Sequence, residues 1–329
     1  MKKKESKKNK KIIIIVLLII VVIAFFIVLF KTVLVPLNNY KKANQYLENK
    51  EYDKAIELYK KNEKYKDSKE NIKKAYYEQG LSLIENEKYD EAIKVLKNAS
   101  GDELENYLLY ANAMIDFKGG KYNLALTKFE KLKDFKRSND SANYCNLMLA
   151  EQKYKEGKLV EAKTMFSELD KDLEYNNVKV SSRLEILEKY KAFVNLCGTW
   201  TGTNGKMSVR QTHDSTGLWD QWDGTYQSAL KLNCIINEDG TVTLKGSASY
   251  YAYTNYSSLS KYLKTPEKSL TIDKTVSSMP KNLASSGNAS LTYSGGKFSL
   301  SYDYKDSNSS MNFTYRYKSS ITYSKREAK

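Results

Sequence analysis

The chain has 329 residues, a net charge of +15 and 41% hydrophobic side chains. The charge is uneven, with +7 on residues 1–35, +1 on residues 36–190 and +7 on residues 191–329, so nearly half of the excess is an N-terminal lysine cluster and not the basic stripe of a nucleic-acid-binding face. Three cysteines without a C-x-x-C, and a single histidine, exclude a zinc site of the usual spacing.

Residues 2–11 hold seven lysines against one glutamate, and residues 12–30 then run nineteen positions without a polar side chain. At about 1.5 Å per residue this is roughly 28 Å, the thickness of a bilayer's hydrocarbon core. Neither an A-x-A cleavage pattern nor a nearby lipid-accepting cysteine follows. The reading is a cytoplasmic lysine-rich segment over 1–11 and an uncleaved transmembrane signal anchor over 12–35. The lysine bias favours an inside N-terminus and places the later domains outside. The 49 lysines against five arginines, with many Ile, Asn and Tyr, have A/T-rich codons and suggest a low-GC, Gram-positive bacterium.

Next, KEYDKAIELY at 50–59 is nearly rewritten as EKYDEAIKVL at 87–96. Ala55, Ala92, Ala125 and Ala162 recur 37, 33 and 37 residues apart. Twelve residues before each stands Ala43, Gly80, Ala113 or Ala150, and four after stands Tyr59, Leu96, Phe129 or Phe166. An aromatic or leucine also recurs three before (Tyr52, Tyr89, Tyr122, Leu159) and fifteen before (Tyr40, Tyr77, Tyr110, Leu147), and an apolar residue eight before (Leu47, Ile84, Phe117, Tyr154). Each copy therefore carries two helical stripes at i, i+3 and i+7 with a small residue in the middle, which lets two helices approach closely. Such a hairpin cannot bury its apolar face alone, whereas four stacked copies can.

These columns resemble the tetratricopeptide repeat family over residues 37–175. The resemblance implies an all-α solenoid whose first helices line a groove for a protein or peptide partner. The family's early tryptophan is replaced by Asn39, Tyr76, Leu109 and Asn146, and its closing proline is absent. In copies one and three, Tyr65-Lys66-Asp67-Ser68 and Phe135-Lys136-Arg137-Ser138 stand in its place, where the aspartate or serine is expected to cap the next helix.

Residues 176–196 keep a helical spacing (Val180, Leu184, Leu187, Tyr190, Val194) and read as a linking helix. From Cys197 to residue 329 the period becomes two. Leu230, Leu232, Cys234 and Ile236 alternate up to the turn at 237–240, and Val242 and Leu244 resume. Leu291 and Tyr293 lead through Ser294-Gly295-Gly296 to Phe298, Leu300, Tyr302 and Tyr304. After 305–310 come Met311, Phe313, Tyr315 and Tyr317. This is an antiparallel meander with one buried face. Its opening, Gly198-Thr199-Trp200, resembles the lipocalin-like barrels, which implies an all-β barrel with the tryptophan closing one end and room for a small apolar ligand. A β-sandwich of the same strands is the alternative.

Two stretches here carry candidate ligand contacts. Trp219 and Trp222 lie in a loop-like segment, 214–224, and Tyr250, Tyr251, Tyr253 and Tyr256 crowd a second. Aromatics beside Asp, Asn and Gln can stack on sugar rings, or else cover the barrel ends. Cys197 and Cys234 share a domain and can pair, which leaves Cys145 over. Without a G-x-S-x-G, a Gly-rich phosphate loop or a marked nucleophile, neither an enzyme nor a cofactor is expected. The expected function is a membrane-anchored extracytoplasmic scaffold whose repeats engage a protein or peptide. The alternative is a β-domain that binds a lipid, glycan or anionic wall polymer, with the repeats as spacer.

Overall fold

The computed structural model describes residues 2–250, 268–308 and 312–325, without the side chains of 2–13, 222, 306, 308 and 325. Helix α1 (Lys2–Leu29) passes through a π-helical turn (Phe30–Leu34) into α2 (Val35–Glu48). Val35 N–H reaches back five residues to Phe30 O. The cause is Pro36, which lacks the N–H that an unbroken helix would donate four residues back. From Ile14 to Val35 the large apolar side chains are exposed all round. This helix is long and apolar enough to cross a membrane, its most apolar stretch having a mean hydropathy of 3.4.

Four helical hairpins follow: α2 with α3 (Tyr52–Lys61), α4 (Ser68–Glu85) with α5 (Tyr89–Leu96), α6 (Leu104–Lys118) with α7 (Tyr122–Leu132), and α8 (Ser138–Lys155) with α9 (Leu159–Ser167). Ala43, Ala55, Gly80, Ala92, Ala113, Ala125, Ala150 and Ala162 are all buried. A methyl group added at Gly80 would collide with the Leu96 side chain of the paired helix, so the second copy needs its glycine. Each hairpin turns through one left-handed residue, Lys50, Glu87, Gly120 or Gly157, five positions before the alanine column. The next N–H returns to the carbonyl five residues back in all four copies (Glu51 to Tyr46, Lys88 to Leu83, Lys121 to Asp116, Lys158 to Lys153). This is the same helix-terminating motif four times, with glycine at the strained position in two copies.

The expected cap at Asp67 is not made. Asp67 stands at the N-cap of α4 without a side-chain cap hydrogen bond. Its carboxylate instead accepts the Tyr40 hydroxyl at 2.6 Å, which ties the first hairpin to the second, and Ser68 Oγ donates to Tyr65 O. That hydrogen bond raises the Tyr40 pKa and lowers that of Asp67.

The chain falls into two compact units, Met1–Cys145 and Asn146–Lys329. The division lies inside α8, whereas the repeat columns run on to Phe166. Within the second unit, Leu147, Ala150, Leu159, Ala162 and Phe166 of the fourth hairpin belong to one core with Trp200, Leu230, Leu232 and Phe298 of the sheet. Gly157 makes this junction: its carbonyl accepts Cys234 N–H at 2.9 Å, and a Cβ there would lie 3.0 Å from the Cys234 backbone. The expected linking helix is interrupted. β1 (Glu174–Tyr175) and β2 (Val178–Lys179) form a hairpin across two positive-φ asparagines, Asn176 and Asn177, and α10 (Val180–Lys189) is followed by a separate short α11 (Lys191–Val194).

Eight antiparallel strands make one sheet: β3 (Gly198–His213), β4 (Trp219–Ile236), β5 (Val242–Tyr250), β6 (Lys268–Val276), β7 (Asn282–Ser286), β8 (Ala289–Ser294), β9 (Lys297–Asn308) and β10 (Phe313–Lys325). Their order is β6-β5-β4-β3-β10-β9-β8-β7. The sheet's first and last strands in the chain, β3 and β10, pair, every other pairing joins chain neighbours, and among the described residues only the β6–β7 seam lacks a ladder. Lys274 Nζ donates to Asn282 O across that seam. The result is a nearly closed barrel-like sheet and not a two-sheet sandwich.

The expected hairpins at 230–244 and 291–304 are present as β4–β5 and β8–β9. Met311 lies outside the described residues. Trp200 is buried, with its indole edge against Phe298 (4.7 Å between centroids) and Nε1 donating to Leu196 O at 2.8 Å. Inside the barrel, Tyr323 shares its hydroxyl between Ser228 Oγ and Ser249 O, both at 3.0 Å.

Burial pushes the pKa values of Tyr59, Tyr89 and Tyr323 up to about 12, from 10.0. An unfolded chain deprotonates these phenols from pH 10 and the folded chain does not. Their stabilising contribution is therefore complete below pH 10 and is lost as the pH rises towards 12. Thermal melts should shift downward between pH 10 and 12, with a late class of tyrosines ionising at 295 nm together with unfolding. Ionisation of every tyrosine near pH 10 in the folded chain would contradict this.

Candidate functional site

Strands β4, β3, β10 and β9 lie side by side, and their alternation sends opposite sets of side chains inward and outward. Met207, Val209, Tyr302, Tyr315, Tyr317 and Ser319 are buried. Tyr302, Tyr304, Tyr317 and Tyr315 form a stacked row with centroids 6.0 to 6.3 Å apart. The outward set is polar, and the ladder aligns it in rows. One row reads Gln221, Arg210, Arg316, Lys305. The next reads Asp223, Ser208, Lys318, Asp303, and a third reads Thr225, Lys206, Ser320, Ser301. At the far end Trp219 pairs with Thr212.

These three rows hold five cations against two carboxylates. Arg316 pairs with Asp303 through Nε at 3.0 Å and Nη2 at 2.8 Å, and holds that carboxyl below its usual range. Lys318 lies 4.0 Å from the same carboxylate. Arg210 has no carboxylate partner among the described residues. Its guanidinium lies over the Trp219 ring at 4.4 Å, an arrangement favourable to both. Gln221 bonds Asp223 at 3.0 Å. A groove of about 750 Å³ runs along the face, lined by residues that include Lys206, Ser208, Asp223, Thr225, Asp303 and Lys318. Surface hydroxyls and spaced cations of this kind can hold anionic groups and the hydroxyls between them.

Of the aromatics singled out in the sequence, the structure describes the side chains of Trp219 and Tyr250, the first exposed and the second buried. Residues 219–224 are strand and not loop, because β4 starts at Trp219. Trp219 is 55% exposed and belongs to the outer face, beside Leu218 at 73%. Trp222 pairs with Val209 in the ladder. Tyr250 ends β5 and is buried against Tyr302 at 5.6 Å, so it is not a surface contact. Tyr251, Tyr253 and Tyr256 lie outside the described residues. Sequence reading missed Arg210, Lys305, Arg316, Lys318 and Lys206. The available signal was the run Phe313-Thr314-Tyr315-Arg316-Tyr317-Lys318, in which basic residues alternate with aromatic ones.

Cys145, Cys197 and Cys234 are free, buried thiols. Cys197 Sγ and Cys234 Sγ both donate to Phe193 O, at 3.3 and 3.5 Å. The neighbouring Cys197 thiol, then burial, raises the pKa of Cys234, which leaves it a poor nucleophile. His213 Nδ1 lies 3.0 Å from Ser215 Oγ, but Asp214 accepts from Thr314 instead of orienting the imidazole. Comparison of the chain with protein-family models, with curated proteins and with solved structures finds no match.

Proposed function

We propose that the chain is a membrane-anchored scaffold whose helical hairpins, arranged as tetratricopeptide-like repeats, hold a protein or peptide partner outside the cell membrane. The observation that carries this reading is the fourfold recurrence of one hairpin, with the same two small-residue columns buried and the same left-handed turn closing each. An array of such units has extended surface and little else, which suits it to holding a segment of another chain. The helix that continues from the apolar span into the first hairpin supports an anchoring role. The lysine-rich start supports an inside N-terminus.

The test is an internal deletion cut at the hairpin boundary before α8. Removing residues 37–137 takes away the first three hairpins and leaves α8 and α9, which the β-unit needs for its core. Crosslinked cells expressing full-length chain should yield one or a few enriched envelope proteins, and the deleted form should lose them. Full recovery by the deleted form would overturn the reading.

A further inference from the structure

We propose that the outer face of β3, β4, β9 and β10 binds a linear polyanion of polyol or sugar units joined by phosphodiesters. The inference stands on the β-unit alone and holds whether or not the hairpins carry a protein partner.

The first support is a local conflict. Arg210, Arg316 and Lys305 are direct cross-strand neighbours, three cations abreast on adjacent strands. Neighbouring strands lie about 4.8 Å apart, and like charges directly opposite destabilise a sheet. The one carboxylate seen to answer this row is Asp303, which bonds Arg316. Lys318 and Lys206 extend the positive field along the strands. Positions two residues apart along a strand are separated by about 6.8 Å, which suits a chain carrying an anionic group in every unit. A sheet that keeps such repulsion gains from a partner that removes it.

The second support is the composition of the groove. Ser208, Thr225, Ser301 and Ser320 offer hydroxyls, and Asp223 offers an acceptor. A bare polyphosphate has no hydroxyl donors for that acceptor, whereas polyol or sugar units have them. Trp219 ends the array as a ring on which a sugar can stack. A flat bilayer surface fits less well, because Lys206 and Lys318 line a groove and, among the described residues, the large exposed apolar side chains of the sheet, Leu218 and Trp219, sit together at one end.

Binding of full-length protein in detergent would be measured against poly(glycerol phosphate), with polygalacturonate and phosphatidylglycerol vesicles compared in the same salt. Binding to poly(glycerol phosphate) is expected, weakening steeply as salt rises. The triple variant Lys206→Gln/Arg210→Gln/Lys305→Gln should weaken it on the order of a hundredfold, at roughly fivefold per cation. Its melting temperature should not fall, since the repulsion is relieved. Asp223→Asn removes a negative charge from the groove and should tighten retention of the phosphate backbone at high salt, an effect that misfolding cannot imitate. Three results would each overturn the proposal: equal binding of polygalacturonate, binding of vesicles but not of the polymer, or unchanged polymer binding by both variants.

Discussion

Replacing Arg183 with methionine is expected to cost about 3–5 kcal/mol of stability, the loss typical when one partner of a buried ion pair is removed. The Glu151 side chain is 2% exposed. Arg183 satisfies it with two parallel hydrogen bonds, Nε to Oε2 at 2.6 Å and Nη2 to Oε1 at 2.7 Å. The guanidinium also lies over the Tyr154 ring at 4.7 Å. Without it, Glu151 keeps only Lys155, exposed and 3.6 Å away. The pair joins α8 of the fourth hairpin to α10, so the damage should fall on the second unit. Exchanging both residues for methionine should recover most of the loss, because the costly state is a lone buried charge and not the absence of the pair. Urea unfolding of the two single variants and the double variant measures this. A loss below about 1 kcal/mol for Arg183→Met would place the pair among surface ion pairs of little weight.

The second large effect is expected at Phe129. It is fully buried, with Tyr110 and Phe117 at ring-centroid distances of 6.2 and 6.4 Å. Phe129→Ala should cost about 3–5 kcal/mol through lost burial and the cavity left behind. Leu124, five residues earlier on the same helix, is 57% exposed. Leu124→Ala should stay within about 0.5 kcal/mol. The contrast tests the repeat register directly, since Phe129 shares its column with Tyr59, Leu96 and Phe166, all fully buried. Comparable costs at Leu124 and Phe129 would mean that the helix faces the other way. Overpacking at Ala92, where a bulky residue meets a closed contact, should cost less, roughly 1–3 kcal/mol.

The hairpins were legible in the sequence because a small residue between large ones, at helical spacing, has few structural meanings. Their turns were not read. Lys50 and Glu87 adopt positive φ, a conformation that glycine announces and lysine or glutamate does not. The expected cap at Asp67 failed because a tertiary partner, Tyr40, took the carboxylate that a local view assigns to the helix end.

In the sheet, β4–β5 and β8–β9 were plain from strict alternation. β3 was hidden for a physical reason. Its register slips between Gly202 and Gly205, so buried positions are even before the slip and odd after it. The two glycines that permit the slip leave room for Ile321 and Tyr226, which a Cβ at either would crowd. The basic face could not be read from any single segment. It needs Arg210 beside Arg316, which are more than a hundred residues apart in the chain, and only the pairing of first and last strands brings them together.

The scaffold reading is tested most directly by placing a photocrosslinking amino acid at Leu81 and at Met114 in intact cells. These follow the buried Gly80 and Ala113 on the first helices of two hairpins, and both are partly exposed. A third position, Ser290 on the barrel, serves as comparison. The account predicts a discrete protein adduct from Leu81 and Met114, the same partner at both, and none from Ser290. Adducts to protein from Ser290 alone, with none from the two helices, would contradict it and leave the hairpins as a spacer.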